Sequence, residues 1–249
     1  MNIPVNVFLL CYNEKEIIGE TIKHYKTLLP GCKITILDNM SNDGSPMIAR
    51  QLRCTIKQFN TGGNFDDYKH KHLRNECWKH IRNEWIIVCD MDEWLCITND
   101  ELIQEDMKGT SVLTVKGYDI IGDSKVENLS DINLHHLKMG VISESENKPI
   151  CFKAGHIREM MFEIGGHRAF PEGRVKWSEK SYILKHMNYL GLPFKLMRQK
   201  LRFERSHKAR AQYGLCMGYS HPLENFINNH DNLLNSREDL SELLRPMGI

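Results

Sequence analysis

The sequence predicts an α/β protein built on a Rossmann-like, doubly wound and mostly parallel β-sheet, and three observations lead to this class. Short apolar runs alternate with segments of helical spacing over the first half of the chain. These runs are almost uninterruptedly apolar, as in parallel strands that are covered on both faces. One of them, from Trp85 to Cys89, ends abruptly in Asp90, Asp92 and Glu93. Ligands of such sheets bind beyond the carboxyl ends of the strands, so this acidic cluster marks a candidate site.

The elements of the first half follow in order from hydrophobic periodicity and turn residues. We predict strands at Val5–Cys11, Lys33–Leu37, Thr55–Phe59 and Trp85–Asp90, and helices at Glu14–Leu29, Pro46–Leu52 and Asp66–Arg82. The first helix stops before Pro30 and Gly31, and the second has a proline in its first turn. Alternation at this spacing favours right-handed crossovers between parallel strands.

The second half shows a different pattern, in which short predicted strands lie between tight turns. We predict strands at Ser111–Ile121, Ile150–Lys153, Glu159–Ile164 and Tyr182–Met187, a basic helix from Pro193 to about Tyr213, an irregular stretch over 123–147, and a polar, partly helical tail from Pro222. Turn signals separate these strands, which predicts a small antiparallel part beside the parallel sheet. We expect one domain, with a nucleotide-binding half at about 1–110 and an acceptor half at about 111–249.

Bulk composition excludes several classes of function. The chain has 249 residues, is 41% hydrophobic and 26% charged, and carries a formal net charge of +1, so no global electrostatic attraction to nucleic acid is expected. No apolar run approaches the roughly 20 residues of a transmembrane helix, and we expect no membrane span and no signal peptide. The eight cysteines form no CxxC pair and no zinc-like spacing with histidine. These features favour a cytoplasmic protein.

Polar side chains of a matched kind follow three of the predicted parallel strands. Tyr12 could offer an aromatic face to a nucleobase, and Asp38 could accept a hydrogen bond from a base N–H. Asp90 could accept from ribose hydroxyls, and Asp92 could hold a metal ion that bridges a diphosphate. Each of these residues taken singly is more often an ordinary loop residue than a ligand. Their convergence on one sheet edge favours a nucleotide site.

The motifs around these residues resemble the family 2 glycosyltransferases, which have the GT-A fold. The matching stretches are Leu10 to Glu14, Leu37 to Ser45, Arg74 to Trp78, Val88 to Glu93, Gly117-Tyr118, Gly165 to Gly173, Leu184 to His186, and the arginines at 198, 202 and 205. The resemblance covers most of the chain in order and leaves out about 122–147 and roughly the last 30 residues. It implies a nucleotide-diphospho-sugar donor, most often a UDP-sugar, and Mn²⁺ or Mg²⁺.

The resemblance also implies roles for individual residues. Asn13, Glu14 and Asp38 would lie near the uridine, and Asp90 near the ribose and the metal. Asp92 would bind the metal, and a late histidine, His186, would complete the site. Imidazole suits Mn²⁺ better than Mg²⁺, which favours manganese. The family branch usually has tyrosine where this chain has Met187. An ordinary core histidine at a strand end is the alternative interpretation of His186.

Sugar transfer needs two further groups. Arg74 or Arg205 could stabilise the leaving diphosphate by bidentate pairing. An inverting reaction also needs a general base for the acceptor hydroxyl. The resemblance favours Glu159 in this role, because it precedes the Gly165-Gly166-His167 turn at a position that the family branch shares, and His167 is the runner-up for base or acceptor contact. The other carboxylates considered are Asp119, Asp123 and Glu163.

Three functions remain open at this point. The main hypothesis is a metal-dependent inverting glycosyltransferase that acts on a hydroxyl of a glycan or other acceptor. A sugar nucleotidyltransferase would need a glycine-rich basic loop after the first strand, whereas this chain has Asn13, Glu14 and Glu16 there. An inactive nucleotide- or sugar-binding module is the third. The basic helix is interpreted mostly as a solvated face, with peripheral contact to anionic lipid left open.

Overall fold

The computed structural model describes residues 2–123 and 125–245. The strands are β1 Val5–Cys11, β2 Lys33–Asp38, β3 Thr55–Gln58, β4 Trp85–Asp90, β5 Glu93–Cys96, β6 Val112–Ile121, β7 Met139–Ile142, β8 Cys151–Lys153, β9 Ile157–Glu159, β10 Glu172–Gly173, β11 Trp177–Tyr189 and β12 Glu238–Asp239. The α-helices are α1 Ile18–Leu28, α2 Ser45–Gln51, α3 Asp67–Glu76, α4 Asn99–Met107, α5 Leu192–Arg205, α6 His207–Tyr213, α7 Leu223–Ser236 and α8 Ser241–Leu244. Short 3₁₀ turns connect several of these elements.

The main sheet combines parallel and antiparallel strands. Its order is β12-β7-β6-β8-β4-β1-β2-β3, and β11 pairs with both β5 and β6. The pairs β4–β1, β1–β2 and β2–β3 are parallel, whereas β8 joins β4 antiparallel. The α/β class, the mostly parallel first half and the antiparallel part in the second half are therefore confirmed.

The central strands are buried on both faces because helices and loops cover each side. Along β1, Val7 and Leu9 belong to one apolar cluster, which also contains α1 residues such as Ile22. Phe8 and Leu10, which alternate with them, belong to a second cluster on the other face. This explains why the strands appear in the sequence as continuous apolar runs. The carboxyl ends of β1, β2 and β4 are thereby fixed side by side.

All the strands and helices predicted for the first half are present in the structure, but some of them begin or end at other residues. The helix expected from Glu14 begins at Ile18, and the helix expected to reach Arg82 ends at Glu76. α4 was not predicted, although Thr98 and Glu101 form a capping box at its start. β5 was also missed, because its apolar residues continue the run of β4 beyond the acidic turn.

Three predictions for the second half are corrected. The strand expected at Glu159–Ile164 ends at Glu159, and residues 164–166 form a 3₁₀ turn instead. The stretch 123–147, expected to be irregular, contains the short strand β7. The single basic helix expected from Pro193 is two helices that meet at Ser206. Within residues 2–123 and 125–245, no helix is long and apolar enough to cross a bilayer.

Candidate active site

A cavity of about 560 Å³ opens at the carboxyl ends of β1 and β4 and is closed on one side by α5. The predicted site residues that line it are Tyr12, Asn13, Glu14, Arg74, Asp90, Asp92, His167, His186 and Arg205. Asp38, Asp119 and Glu159 are not among its lining residues. Most of the predicted donor-side and metal-side residues are therefore brought together at one edge of the sheet.

Strand pairing places His186 between two carboxylates. β11 runs antiparallel to β5, which sets His186 opposite Glu93, and parallel to β6, which sets it opposite Asp119. The backbone N–H of Met187 donates to the carbonyl of Asp92 at 2.7 Å, which fixes the turn that carries the acidic cluster. The position of His186 thus depends on residues about 70 and 90 positions earlier in the chain.

His186 is held by hydrogen bonds on both ring nitrogens. Nδ1 donates to Oδ1 of Asp119 at 2.6 Å, and Nε2 lies 3.4 Å from Oδ2 of Asp92. Burial alone would lower the pKa of His186, but the carboxylates of Glu146, Asp92 and Asp119 raise it to about 10. The imidazole is therefore cationic in this arrangement and neutralises part of a strongly anionic pocket.

Asp92 is a buried carboxylate surrounded by cations. Its Oδ2 accepts from Arg198 at 2.8 Å and from Arg202 at 3.2 Å, in addition to the contact with His186. Burial would raise its pKa, but Arg198 and His186 hold the pKa of Asp92 well below its usual range. Asp92 is therefore ionised. A metal ion that binds it would replace the positive charge that the neighbouring arginines and His186 now provide.

Asp92 and His186 together fit a divalent metal. Oδ2 of Asp92 and Nε2 of His186 lie 3.4 Å apart, and Asp119 holds the other nitrogen of His186, as carboxylates commonly do behind metal-binding histidines. The carboxylates that now keep a proton on His186 would equally stabilise a divalent cation. Within the part of the chain that the structure describes, no group of three or more His, Cys, Asp or Glu side chains is arranged so that it could hold a metal ion. The predicted set of Asp90, Asp92 and His186 is therefore not assembled as a triad.

Asp90 is engaged by Arg74 instead. Arg74 donates to Oδ1 of Asp90 at 2.5 Å, and Arg74 is almost fully buried while Asp90 keeps 37% of its side chain exposed. Gly166 permits this approach, because a Cβ at that position would lie 2.6 Å from Nε of Arg74. Its φ of +73° is also a conformation that favours glycine. Gly166 of the Gly165-Gly166-His167 turn thus makes room for the predicted diphosphate-binding arginine.

We expect Gly166→Ala to destabilise the protein by more than backbone strain alone. A positive φ costs about 1–3 kcal/mol for a non-glycine residue, and the new methyl group would also displace Arg74 from Asp90. Because Asp90 is over a third exposed, solvent screening limits this added loss to about 1 kcal/mol. Gly63→Ala is the matched control, since Gly63 has a φ of +78° and no heavy atom within 4 Å of a built Cβ. Equal losses of unfolding free energy in urea for both variants would contradict the steric role of Gly166.

Two of the residues expected near the uridine, Asn13 and Asp38, make hydrogen bonds to the loop at residues 41–42. Asp38 accepts from the backbone N–H of Ser41 at 3.2 and 3.3 Å, and its side chain is fully buried. Asn13, at a φ of +54°, exchanges hydrogen bonds with Asn42 at 2.9 and 3.1 Å. Asn13 still lines the cavity, whereas Asp38 stabilises the turn behind it.

One face of the Tyr12 ring is covered by a guanidinium group. Arg205 lies with its Cζ 3.3 Å from the ring centroid and donates to the carbonyls of Gly63 and Asn64 at 3.2 and 3.3 Å. Burial lowers the pKa of Arg205 to about 10. A base that stacks on this side of Tyr12 would have to displace Arg205, so only the other face is open for the predicted stacking.

Glu14 contributes a carboxylate to the same cavity. It accepts from Arg198 at 2.9 Å, so Arg198 bridges Glu14 and Asp92. Burial raises the pKa of Glu14 to about 7, against the opposing effect of Arg198. The predicted uridine-side residue is thus coupled to the metal-side residue through one arginine.

The candidate bases occupy different positions. Glu159 lies outside the cavity, is half exposed and pairs with Lys79. Asp119 is bound to His186. His167 lies on the cavity rim, and its Nδ1 donates to the carbonyl of Ser145 at 2.9 Å. Because a carbonyl can only accept, this contact leaves Nε2 as the proton acceptor in the neutral ring.

Sequence reasoning missed a buried charged group under the cavity floor and underrated one arginine. Lys148 pairs with Glu93 and, at 2.8 Å, with Glu146, and all three side chains are at most 5% exposed. No local pattern singles out Lys148, whose partners are distant in sequence. Arg198 did have a signal, because Phe194 and Arg202 lie four residues to either side of it on one helix face.

Comparisons with known proteins give a family match over more than half of the chain. A family model described as "Glycosyl transferase family 2" matches residues 6–164. Protein RfbJ from Shigella flexneri is 33% identical over 52 residues, which are 21% of this chain and 40% of RfbJ. The chain thus aligns with less than half of the length of that relative.

Several solved structures resemble this chain at low identity. S. aureus TarS 1-349 has a TM-score of 0.44 and 11% identity, with 85% of this chain and 73% of that chain covered. The mannosyltransferase PcManGT from Pyrobaculum calidifontis, solved with GDP-Man and Mn²⁺, has a TM-score of 0.34 and 16% identity, with 45% and 34% covered.

Proposed function

The chain belongs to glycosyl transferase family 2, and from this premise we propose that it moves a sugar from a UDP-sugar to a hydroxyl of a glycan acceptor, with inversion and with a divalent metal. That it is a glycosyltransferase follows from the family. The donor, the metal and the stereochemistry are our proposal. The observation that supports it most is that His186 and Arg198 both contact Asp92 and that all three residues line one cavity.

Asp92 and His186 would hold the metal, with Mn²⁺ favoured over Mg²⁺ because imidazole is a ligand. A metal bound there would supply Lewis-acid stabilisation of the negative charge on the leaving diphosphate. Asp119 orients His186 by the 2.6 Å hydrogen bond to Nδ1. Asp90, which is partly exposed beside Arg74, remains available to ribose hydroxyls rather than to the metal.

Arg198 and Arg202 are the residues best placed to bind the diphosphate. Both donate to Oδ2 of Asp92, so a metal that binds Asp92 would release guanidinium groups for phosphate oxygens. Arg74 stands on the opposite side beside Asp90. This assignment moves the predicted role from Arg205, which is stacked on Tyr12, to two arginines one and two helical turns earlier.

We propose His167, not Glu159, as the general base. His167 lies on the rim of the cavity with Nε2 as the acceptor, whereas Glu159 is outside it and paired with Lys79. Nε2 would take the proton of the acceptor hydroxyl while its oxygen attacks the anomeric carbon and the nucleoside diphosphate departs. The carbonyl of Ser145 holds the ring in the required tautomer.

Donor binding should stabilise the protein only when nucleotide and metal are both present. At a hundredfold excess of ligand over its Kd, binding adds about 2.7 kcal/mol, which for a chain of this size raises the Tm by roughly 5–10 °C. We would measure thermal unfolding with UDP, GDP and their sugars, each with Mn²⁺, with Mg²⁺ and with EDTA. We expect the largest shift with a UDP-sugar and Mn²⁺.

The same series separates the remaining hypotheses. A shift with nucleotide and EDTA equal to that with Mn²⁺ would contradict metal-dependent binding, and no shift with any nucleotide would contradict the donor site. Binding without turnover would favour an inactive binding module. Stabilisation by UTP with a sugar 1-phosphate, but not by UDP-sugars with Mn²⁺, would favour a nucleotidyltransferase.

A reducing compartment such as the cytoplasm is our proposal for the location. All eight cysteines have free thiols, and four of them, Cys11, Cys89, Cys96 and Cys151, are buried in the core strands. Burial raises the pKa of the Cys96 thiol to about 11, which makes it poorly reactive. The thiols therefore act as small core residues and are compatible with reducing conditions.

A further inference from the structure

A second cavity of about 550 Å³ lies beside the first and meets it at His167, which lines both. It follows β6 from Leu113 to Lys116 and is bordered by Phe170 and Trp177. We refer to it as the β6 groove. None of the roles assigned so far uses it, apart from His167.

Two aromatic side chains in the β6 groove are unusually exposed. Trp177 is 44% exposed and Phe170 is 55% exposed, whereas the other three tryptophans, at positions 78, 85 and 94, are at most 2% exposed. Large apolar side chains kept in contact with water on a concave surface commonly mark a ligand groove. Flat aromatic faces combined with hydroxyl and amide groups, here from Thr114, Ser181 and Asn147, suit sugar rings in particular.

The length of the β6 groove indicates a chain of sugars rather than a single one. Trp177 pairs with Val112 and His186 pairs with Asp119 in the register of β11 with β6. These positions are seven residues apart along β6, or about 23 Å at roughly 3.3 Å per residue. A monosaccharide cannot reach from Trp177 to the metal-side residues, but an oligosaccharide can.

We propose that the β6 groove binds an oligosaccharide acceptor, with Trp177 and Phe170 stacked on its sugar rings and its terminal hydroxyl led past His167 into the donor cavity. The continuity of the two cavities at His167 is the reason to assign an acceptor rather than an unrelated ligand. Lys116 and Arg168 also line the groove, so glycans with acidic groups fit as well as neutral ones. This inference rests on the proposed function, since it names the acceptor class for the same reaction.

The first test uses the full chain with UDP and Mn²⁺ on an array of neutral and acidic oligosaccharides. Trp177 is the one exposed tryptophan of the four, so its fluorescence reports the groove directly. We expect a bound tetrasaccharide to protect it from acrylamide quenching, and the matching monosaccharide to protect it far less. Absence of binding to every oligosaccharide, while UDP and Mn²⁺ still bind, would overturn the proposal.

The second test separates the acceptor groove from the donor site. Trp177→Ala and Phe170→Ala should each raise the KM or Kd for the oligosaccharide roughly tenfold, while Kd for UDP and donor hydrolysis to water stay unchanged. Trp177→Phe should restore most of the affinity. Tyr213→Ala is the control, because Tyr213 is 50% exposed but lies on α6, away from the groove.

The outcomes distinguish the two levels of the proposal. Unchanged acceptor affinity in Trp177→Ala would overturn the groove assignment and leave the transferase proposal standing. If the wild-type protein neither bound nor hydrolysed a UDP-sugar, the groove assignment and the transferase proposal would both be overturned. Shielding of Trp177 that grows with protein concentration alone would show that a second copy covers the groove, which also contradicts the acceptor role.

Discussion

Asp92→Asn is expected to reduce sugar transfer by about 10²- to 10³-fold and to remove its dependence on Mn²⁺. The substitution keeps the size of the side chain but takes away the charge that would bind the metal, and a metal supplies several kcal/mol to the transition state. It also leaves Arg198 and His186 without their shared buried partner. The measurements are kcat/KM over a Mn²⁺ titration and the change in Tm caused by UDP with and without metal.

A loss of activity could also come from a loss of stability, so this variant needs a matched control. Glu105 is a buried carboxylate, 1% exposed, that pairs with Lys108 at 3.2 Å and accepts from Thr110 at 2.6 Å, and it does not line the cavity. Glu105→Gln should lower the free energy of unfolding, as Asp92→Asn does, yet keep Mn²⁺-dependent turnover. A folded Asp92→Asn protein with normal metal dependence would remove Asp92 from the proposed metal site.

The sheet edge that carries the candidate site was predictable because its signals are local. β1, β2 and β4 are short apolar runs, and each ends at the polar residues that the structure places at one edge of the sheet. Parallel strands bring their carboxyl ends together whatever the connecting helices contain. This explains why Asp92 and the neighbouring Asp90 were identified from the sequence as site residues and lie in the cavity.

The partners of these residues were harder to predict because the contacts are long-range. Arg198 contacts Glu14 across 184 positions and Asp92 across 106 positions. A basic helix is normally a solvated face, and the spacing of Phe194, Arg198 and Arg202 on one face of α5 does not show by itself that Arg198 contacts Glu14 and Asp92. The antiparallel strand β5 was missed for a similar reason, since its pairing with β11 is set about 90 residues away.

The assignment of Glu159 shows where a motif position is insufficient. It was favoured because it precedes the Gly165-Gly166-His167 turn, and a strand was expected at Glu159–Ile164. In the structure the strand ends at Glu159, and the side chain pairs with Lys79 beyond the cavity. The turn itself does reach the site, because Gly166 lies against Arg74 and His167 lies on the rim.

His167→Gln is expected to lower transfer to the acceptor by about 10²- to 10⁴-fold while the affinity for UDP and Mn²⁺ stays near that of the wild type. Glutamine can still make a hydrogen bond to the carbonyl of Ser145, but it cannot take a proton from the acceptor hydroxyl. The loss should therefore appear in kcat with the acceptor present and not in donor binding. We would measure initial rates at saturating donor, together with Kd for UDP by calorimetry.

Glu159→Gln is the matched comparison, because the same type of substitution at the other candidate base is judged by the same loss of kcat. Its carboxylate lies outside the cavity and pairs with Lys79. We therefore expect less than about a fivefold change in kcat, since a partly exposed ion pair is worth under about 1 kcal/mol. If Glu159→Gln instead gave the large loss and His167→Gln did not, the acceptor would have to approach from the side of β9. That result would return the base to Glu159. It would also move the acceptor away from the β6 groove, because among the described residues His167 alone lines both the groove and the first cavity.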